Sequence, residues 1–438
     1  MVKPVSGFSK KTKAEKIEWL SEAYLDNDPS ATLVLKKYWN SDTALQKLHD
    51  DFIENTLSNY YLPFGIAPNF LINDRLYALP MVLEESSVVA AASNAAKFWL
   101  SRGGFKAEVI ATHKNGQVHL NYKGAVKDLT SFFAEVKPKL IESISEIQRN
   151  MVKRGGGLID ITLVNATEKL EHYFQLHCTF ETKDAMGANF INTCLEQIAH
   201  TFKTEAAGHD TFKAENTFPE VVLSILSNYT PECLVKAEVS CKVSELKQKQ
   251  IDGKTFAEKF VRAIDIAKAE PRRAVTHNKG IMNGVDAVIL ATGNDFRAVE
   301  AGVHAYASKD GQYTSLTSAT IEHDTFKFSI EIPLALGTVG GLTSLHPLVA
   351  FALQVLQKPS AKELMEICAV AGLAQNFAAV RSLVTTGIQE GHMKMHLMNI
   401  LNQLQTTSEE KEQTVNHFKT HAVSHSAVVE FVNTLRTQ

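Results

Sequence analysis

Apolar residues first recur at helical spacing: Ala14, Ile17, Leu20 and Tyr24 share one face, with Lys and Glu between them. The texture then breaks. Between Phe52 and Ile72, Pro63, Gly65 and Pro68 forbid a long helix and predict loop and short strand. The small-residue run from Ser87 to Leu100 predicts a close-packing helix, stopped at Gly103 and Gly104. From Phe105 the pattern alternates. Residues 107–113 and 117–123 read as two strands joined in a hairpin at Lys114–Asn115–Gly116. One helix from about Asp128 to Lys153 ends at glycines 155–157, two strands follow near 159–166 and 173–182, and a helix runs from Asn189 to Thr204. This β-β-α-β-β-α order predicts an antiparallel sheet with helices on one face. The chain then returns to Ala/Gly-rich helical texture, so the module reads as an insertion. Strands and helices mix between 231 and 330, and a glycine-rich loop spans 337–341. Ser360 with Glu363 forms a capping box opening two helices that stop at Gly387. Thr407 with Glu410 marks a second box in a polar, helical tail from Gly391 that reads as a mobile cap.

Composition narrows the class. The 438 residues are 45% apolar and 21% charged, with a net charge of -3, which describes a globular chain long enough for several domains. That balance argues against nucleic acid as a partner. The most apolar stretch noted, Leu345 to Leu356, is short and holds Pro347, so no membrane span is expected. No apolar leader opens the N-terminus. Cys178, Cys194, Cys233, Cys241 and Cys368 form no metal spacing, and their odd number suits free thiols in the cytoplasm; no metal site is expected.

Generic nucleotide motifs are missing. No GxGxxG follows a strand, and Gln248 stands where a P-loop ending at Gly253–Lys254–Thr255 needs its first glycine. Longer strings are more specific: LPFGIAPNFLIN at 62–73, PMVLEESSVVAAAS at 80–93, DAMGANFIN at 184–192, RRAVTHNKGIMNGVDAVILATGNDFRAVEA at 272–301, GLAQN at 372–376 and GIQEGHMKMH at 387–396. In these pieces, and in their order, the chain resembles class II 3-hydroxy-3-methylglutaryl-coenzyme A (HMG-CoA) reductases.

The resemblance implies reduction of the HMG-CoA thioester to mevaldehyde and then to mevalonate, with two nicotinamide hydrides and release of coenzyme A. Such chemistry needs a cation at each developing oxyanion, a proton for the alkoxide, an acid for the thiolate and an anchor for the substrate carboxylate. By resemblance Lys279 stabilises the oxyanion, Glu85 handles the proton, Asp295 links the two, and His392 protonates the thiolate. Arg273 is the carboxylate anchor, with Ser87 and Asn283 as further substrate contacts. Asp184, Met186, Gly187 and Asn189 contact the dinucleotide. One spacing demands a structural answer: a straight helix would hold Lys279 and Asp295 ~24 Å apart. A bend at Gly284, or intervening strands, is expected.

The implied architecture is α+β. A large, mostly helical substrate-binding domain takes 1–108 and 217–377, an inserted ferredoxin-like dinucleotide-binding domain takes 109–216, and a helical flap takes 378–438. A homodimer with active sites at its interface is expected. Two departures stand out: Ser58 replaces a family glycine, which predicts local backbone strain, and Ser86 replaces a proline. At the position where NAD-preferring members carry aspartate stands Gln148, near Arg149, Lys153 and Arg154. Loss of a carboxylate that repels a 2′-phosphate predicts NADPH, with NADH possible, and a biosynthetic direction. The competing readings are an NAD-dependent degradative reductase and a non-redox coenzyme A thioester enzyme.

Overall fold

The computed structural model describes residues 2–248, 251–385, 397–421 and 423–437. Residues 1–63 and 64–438 form two compact units. The first holds α1 (Lys13–Tyr24), α2 (Pro29–Lys37) and α3 (Thr43–Asp50), so the head of the expected large domain is a unit of its own. Ser58 lies here without the expected strain. Its φ is not positive, Asn55 taking that conformation instead, and its hydroxyl donates to Leu35 O at 2.6 Å.

The second unit opens with a hairpin of β1 (Phe64–Ile72) and β2 (Arg75–Val82). Its turn uses Asn73 and Asp74, both at positive φ, as a tight two-residue turn requires. Pro68, which breaks a helix, is absorbed here by a register shift between Ala67 and Phe70. After α4 (Val88–Leu100), β3 (Lys106–Val109) joins a four-stranded antiparallel sheet, and β4 (His113–Asn121) joins a different one. The hairpin expected at Asn115–Gly116 therefore does not form: both residues lie inside β4. Gly116 is needed there for close approach, since a Cβ would sit 2.5 Å from Leu195 Cδ1 and 2.9 Å from Leu226 Cα.

The inserted module follows as α5 (Val126–Ser143), α6 (Ser145–Lys153), β5 (Gly157–Asn165), β6 (Tyr173–Glu181), α7 (Ala188–Gly208), α8 (Asp210–Glu215) and β7 (Glu220–Leu226). The single helix expected over 128–153 is broken at Ile144, a buried residue whose backbone leaves the helical conformation between α5 and α6. The sheet order β5-β6-β4-β7 makes β7 part of this sheet, beyond the boundary expected at residue 216. The helices bury Phe132, Leu195, Ile198 and Phe202 against Val118, Leu176 and Phe180 of the strands, a core separate from that of the large part.

The chain then forms β8 (Leu234–Lys242), α9 (Gly253–Ala269), α10 (Pro271–Ala291), α11 (Phe296–Tyr306), β9 (Thr317–Glu322), β10 (Thr325–Pro333), α12 (Leu342–Leu345), α13 (Pro347–Val355) and α14 (Ala361–Val384). The sheet runs β3-β8-β10-β9. A single 24-residue α14 replaces the two helices expected after Ser360; Gly387 lies outside the described residues. With a mean hydropathy of 1.5 over an 18-residue window it is long and apolar enough to cross a membrane. It is instead the central rod of the core, buried from Ile367 through Phe377 and packed against α4, α9, α10 and β8. The tail has a small core of its own, with Leu397, Leu401, Val428 and Val432 buried together.

Two glycines set how closely α10 and α14 pack. A Cβ on Gly284 would lie 2.5 Å from Ala371 O, and one on Gly372 would lie 2.7 Å from Val285 Cγ2. Helix α10 is unbroken through Gly284, so this residue is a contact point and not the expected bend. Gly284→Val is expected to lower stability by roughly 3 kcal/mol through overpacking. Urea unfolding reads it as a lower midpoint at unchanged slope; an unchanged midpoint would show slack between the helices.

Candidate active site

The chain between β2 and α4 carries Glu85, and the middle of α10 carries Lys279. Their side chains meet: Lys279 Nζ donates to Glu85 Oε2 at 2.6 Å. Asn283, one turn along α10, donates to the same oxygen at 3.4 Å. The side chains of Lys279 and Glu85 are 60% and 40% exposed. An ion pair so open to water adds little to stability, so its place in a cleft is better read as chemistry than as a fastener.

The same cleft is lined by Arg273, Ser87, Gln375 and Asn376. Arg273 stands in the first turn of α10, half-buried, and its guanidinium makes no ion pair among the described residues. Ser87 ends the approach to α4 at φ 76, a left-handed conformation unusual for serine, and gives that helix no side-chain cap. Thus five of the expected residues, Glu85, Lys279, Arg273, Ser87 and Asn283, share one wall-to-wall site.

Asp295 does not join them. Twelve helical residues separate Lys279 from the end of α10, roughly 18 Å, and Asp295 lies beyond that end as the N-cap of α11. Its Oδ1 accepts from Arg297 N at 3.1 Å, Ala298 N at 3.2 Å and Arg297 Nε at 3.2 Å. Burial acts to raise its pKa, but the Arg297 guanidinium and the helix amides outweigh it and hold the carboxyl below its usual range. Within one chain, the expected link between Lys279, Glu85 and Asp295 is absent. His392 lies outside the described residues.

Beneath the cleft lies a polar layer that sequence reasoning missed. His277 is buried, its Nε2 2.7 Å from Thr317 Oγ1, and Asn376 reaches its Nδ1 at 3.4 Å. Burial, helped by the nearby Arg273, pushes the imidazole pKa down to about 3, so the ring is neutral. Asn278, fully buried, donates to Thr314 O at 2.8 Å and accepts from Leu316 N at 3.1 Å. These bonds lock the rotation of α10 and so aim Lys279 outward. The signal was present: His277 and Asn278 directly precede Lys279, and Asn376 closes the GLAQN string.

The DAMGAN turn links β6 to α7. Gly187, at φ 89, is the N-cap of α7, and a Cβ there would lie 2.5 Å from Thr182 Cγ2. No side chain caps the helix, which leaves its first amides for an anion. Asn189 is exposed beside them, and Met186 is half-buried. Asp184 has a task besides the expected cofactor contact: its Oδ1 accepts from Ala361 N at 2.8 Å, capping α14. Its carbonyl accepts from Thr338 N at 2.8 Å and Val339 N at 3.2 Å. Gln148 lies at the same end of the sheet, where Gly157 pairs with Glu181. Its Oε1 accepts from Leu158 N at 3.0 Å, which turns the amide NH2 elsewhere.

Comparison with known proteins gives the family. Residues 13–397 match the family model for hydroxymethylglutaryl-coenzyme A reductase. The chain is 36% identical over 416 residues to a 3-hydroxy-3-methylglutaryl-coenzyme A reductase of Archaeoglobus fulgidus, covering 94% of this chain and 89% of that one. It is 36% identical over 369 residues to a probable reductase of Borreliella burgdorferi, covering 83% and 82%. Among solved structures it is similar to the class II reductase of Streptococcus pneumoniae bound to NADPH in open conformations, with a TM-score of 0.71, 36% identity, and coverage of 87% of this chain and 100% of that one. A further structure of the Streptococcus pneumoniae enzyme gives a TM-score of 0.72 at 34% identity and covers 98% of this chain. With the family model spanning most of the sequence and the ammonium and carboxylate meeting in one cleft, the chain belongs to the hydroxymethylglutaryl-coenzyme A reductase family, in its class II form.

Proposed function

We propose that the Glu85–Lys279 cleft reduces HMG-CoA to mevalonate, in the biosynthetic direction, with NADPH. The observation that carries this reading is the 2.6 Å contact between two chemically complementary groups 194 positions apart in the sequence. Arg273 holds the substrate carboxylate with a guanidinium that has no ion pair among the described residues, and Ser87 and Asn283 orient the acyl chain. Lys279 places its ammonium where the thioester oxygen gains negative charge. The thiolate of coenzyme A then leaves, and His392 supplies its proton. The aldehyde carbonyl takes the same place against Lys279. Glu85 is positioned to take up a proton from solvent and pass it to the second alkoxide. A non-redox thioester enzyme would not need a dinucleotide module joined to this cleft.

The turn at 184–189 suits a dinucleotide. Its glycine leaves no room for a side chain, its helix amides are uncapped, and Met186 and Asn189 flank them. When bound there, each NADPH would supply one hydride, so two molecules are used in turn. Gln148, with its oxygen committed to Leu158, has NH2 hydrogens to offer a 2′-phosphate, where an aspartate would repel it.

We further propose a cytoplasmic homodimer in which Asp295 is supplied across the interface. Asp295 stands apart from Lys279 in its own chain, while Leu342, Leu345, Leu348 and Phe351 of α12 and α13 are exposed, a surface suited to a second copy.

Three outcomes test the proposal. Lys279→Met should lower kcat by about 10³-fold, the loss of one oxyanion donor, while leaving the chain folded; oxidation of NADPH at 340 nm with HMG-CoA reads it. Retained turnover would refute the assigned role. Co-expressing Lys279→Met with Asp295→Asn should restore roughly a quarter of wild-type activity through mixed dimers; no recovery would place both residues in one subunit's site. Gln148→Asp should shift the ratio of kcat/KM for the two cofactors toward NADH by about tenfold, and an unmoved ratio would remove Gln148 from cofactor choice.

A further inference from the structure

Lys114 has no role in the chemistry above, yet its burial demands a reason. Its side chain points inward from β4 and is almost wholly buried. An unsatisfied ammonium in such a place costs several kcal/mol. Among the described residues it is bonded to neutral oxygens: Thr182 Oγ1 at 2.6 Å, Ala185 O at 2.8 Å and Leu336 O at 3.4 Å. Burial lowers the pKa of this amine, and the three acceptors around it match the three N–H donors of its protonated form. The carboxylate of Glu181, which lines the same cavity, is engaged by the Thr112 hydroxyl and the Lys183 amide. The three acceptors belong to the end of β6, the DAMGAN turn and the segment leading into the glycine-rich loop. One side chain thus ties together three stretches that meet only in the folded molecule.

The bonds converge on one peptide. The Ala185 carbonyl accepts from Lys114 and also from Thr182 Oγ1 at 2.7 Å, so both its lone pairs are occupied. That fixes the plane of the 185–186 peptide. The next residue is equally constrained: Gly337 comes so close that a Cβ on it would lie 2.3 Å from Met186 N. Gly337 N in turn donates to Asn294 Oδ1 at 2.8 Å, next to Asp295. The turn is therefore pinned from below by Lys114 and Thr182 and from the side by Gly337. Its outward face, with Gly187 and the start of α7, is left to a ligand.

We propose that Lys114 is the positioning residue of the dinucleotide site: its ammonium holds the Ala185 carbonyl inward, so that the α7 amides face the diphosphate of the cofactor, and it latches this turn to the large part of the chain at Leu336. This deepens the reductase reading and rests on it. Lys114 touches neither substrate nor cofactor and acts through the turn.

The test is direct binding to the full-length chain. NADPH fluorescence gives the Kd without HMG-CoA, and calorimetry gives the Kd for HMG-CoA without NADPH. Lys114→Met keeps the length and apolar stem but loses the donors. It should weaken NADPH by about tenfold or more, leaving HMG-CoA within about twofold. Thr182→Val keeps the methyl that faces Gly187 but loses the hydroxyl, and should weaken NADPH in the same direction. The double variant should cost less than the two single losses combined, because both act on one carbonyl. The second variant carries the test if Lys114→Met fails to fold. An unchanged NADPH Kd in either folded variant, or equal weakening of both ligands, overturns the proposal. Failure of the wild-type chain to bind NADPH would instead overturn the reductase reading.

Discussion

The contact between α10 and α14 at Gly284 and Gly372 is the constraint on which the site depends. Each glycine faces the other helix at a distance no side chain could occupy. With the axes held this close, α10 presents Arg273, Lys279 and Asn283 to the cleft, and α14 presents Gln375 and Asn376 opposite. The buried His277, Asn278, Thr317 and Asn376 then fix the rotation of α10. A lysine on a solvated helix would sample many rotamers at a considerable entropic advantage. Here the packing below it and the carboxylate in front of it restrict that sampling to useful positions.

Helix α14 also joins the two ends of the chemistry. Its first amide is capped by Asp184 of the 184–189 turn, and its later turns line the cleft around Glu85 and Lys279. At ~1.5 Å per residue, 24 residues span about 36 Å. The inserted module, though it has its own core, is therefore anchored to the element that forms the substrate wall. Lys114 and Gly337 reinforce the anchorage from the other side.

Much of this was legible in the sequence, but unevenly. The strings around Glu85, Lys279 and Gly187 named the chemistry, and five of the expected residues fall in one cleft. What failed was whatever depended on a neighbour distant in the chain. Gly284 reads as a hinge until α14 is known to press against it. Asn115–Gly116 has the composition of a tight turn, yet Gly116 is small because Leu195 and Leu226 crowd it. The strand β7 lay past the expected boundary because its partner, β4, is about a hundred residues earlier. Asp295 shows the limit of another kind: spacing alone established that a straight helix would separate it from Lys279, and the helix runs unbroken to Ala291. His277 and Asn278 went unread because buried polar partners leave no periodic signature.

The side chain of Gln148 bonds to Leu158 within its own module and has no bond to the rod or to the substrate wall. A substitution at Gln148 therefore acts on that corner of the module and leaves the residues around Glu85 and Lys279 in place.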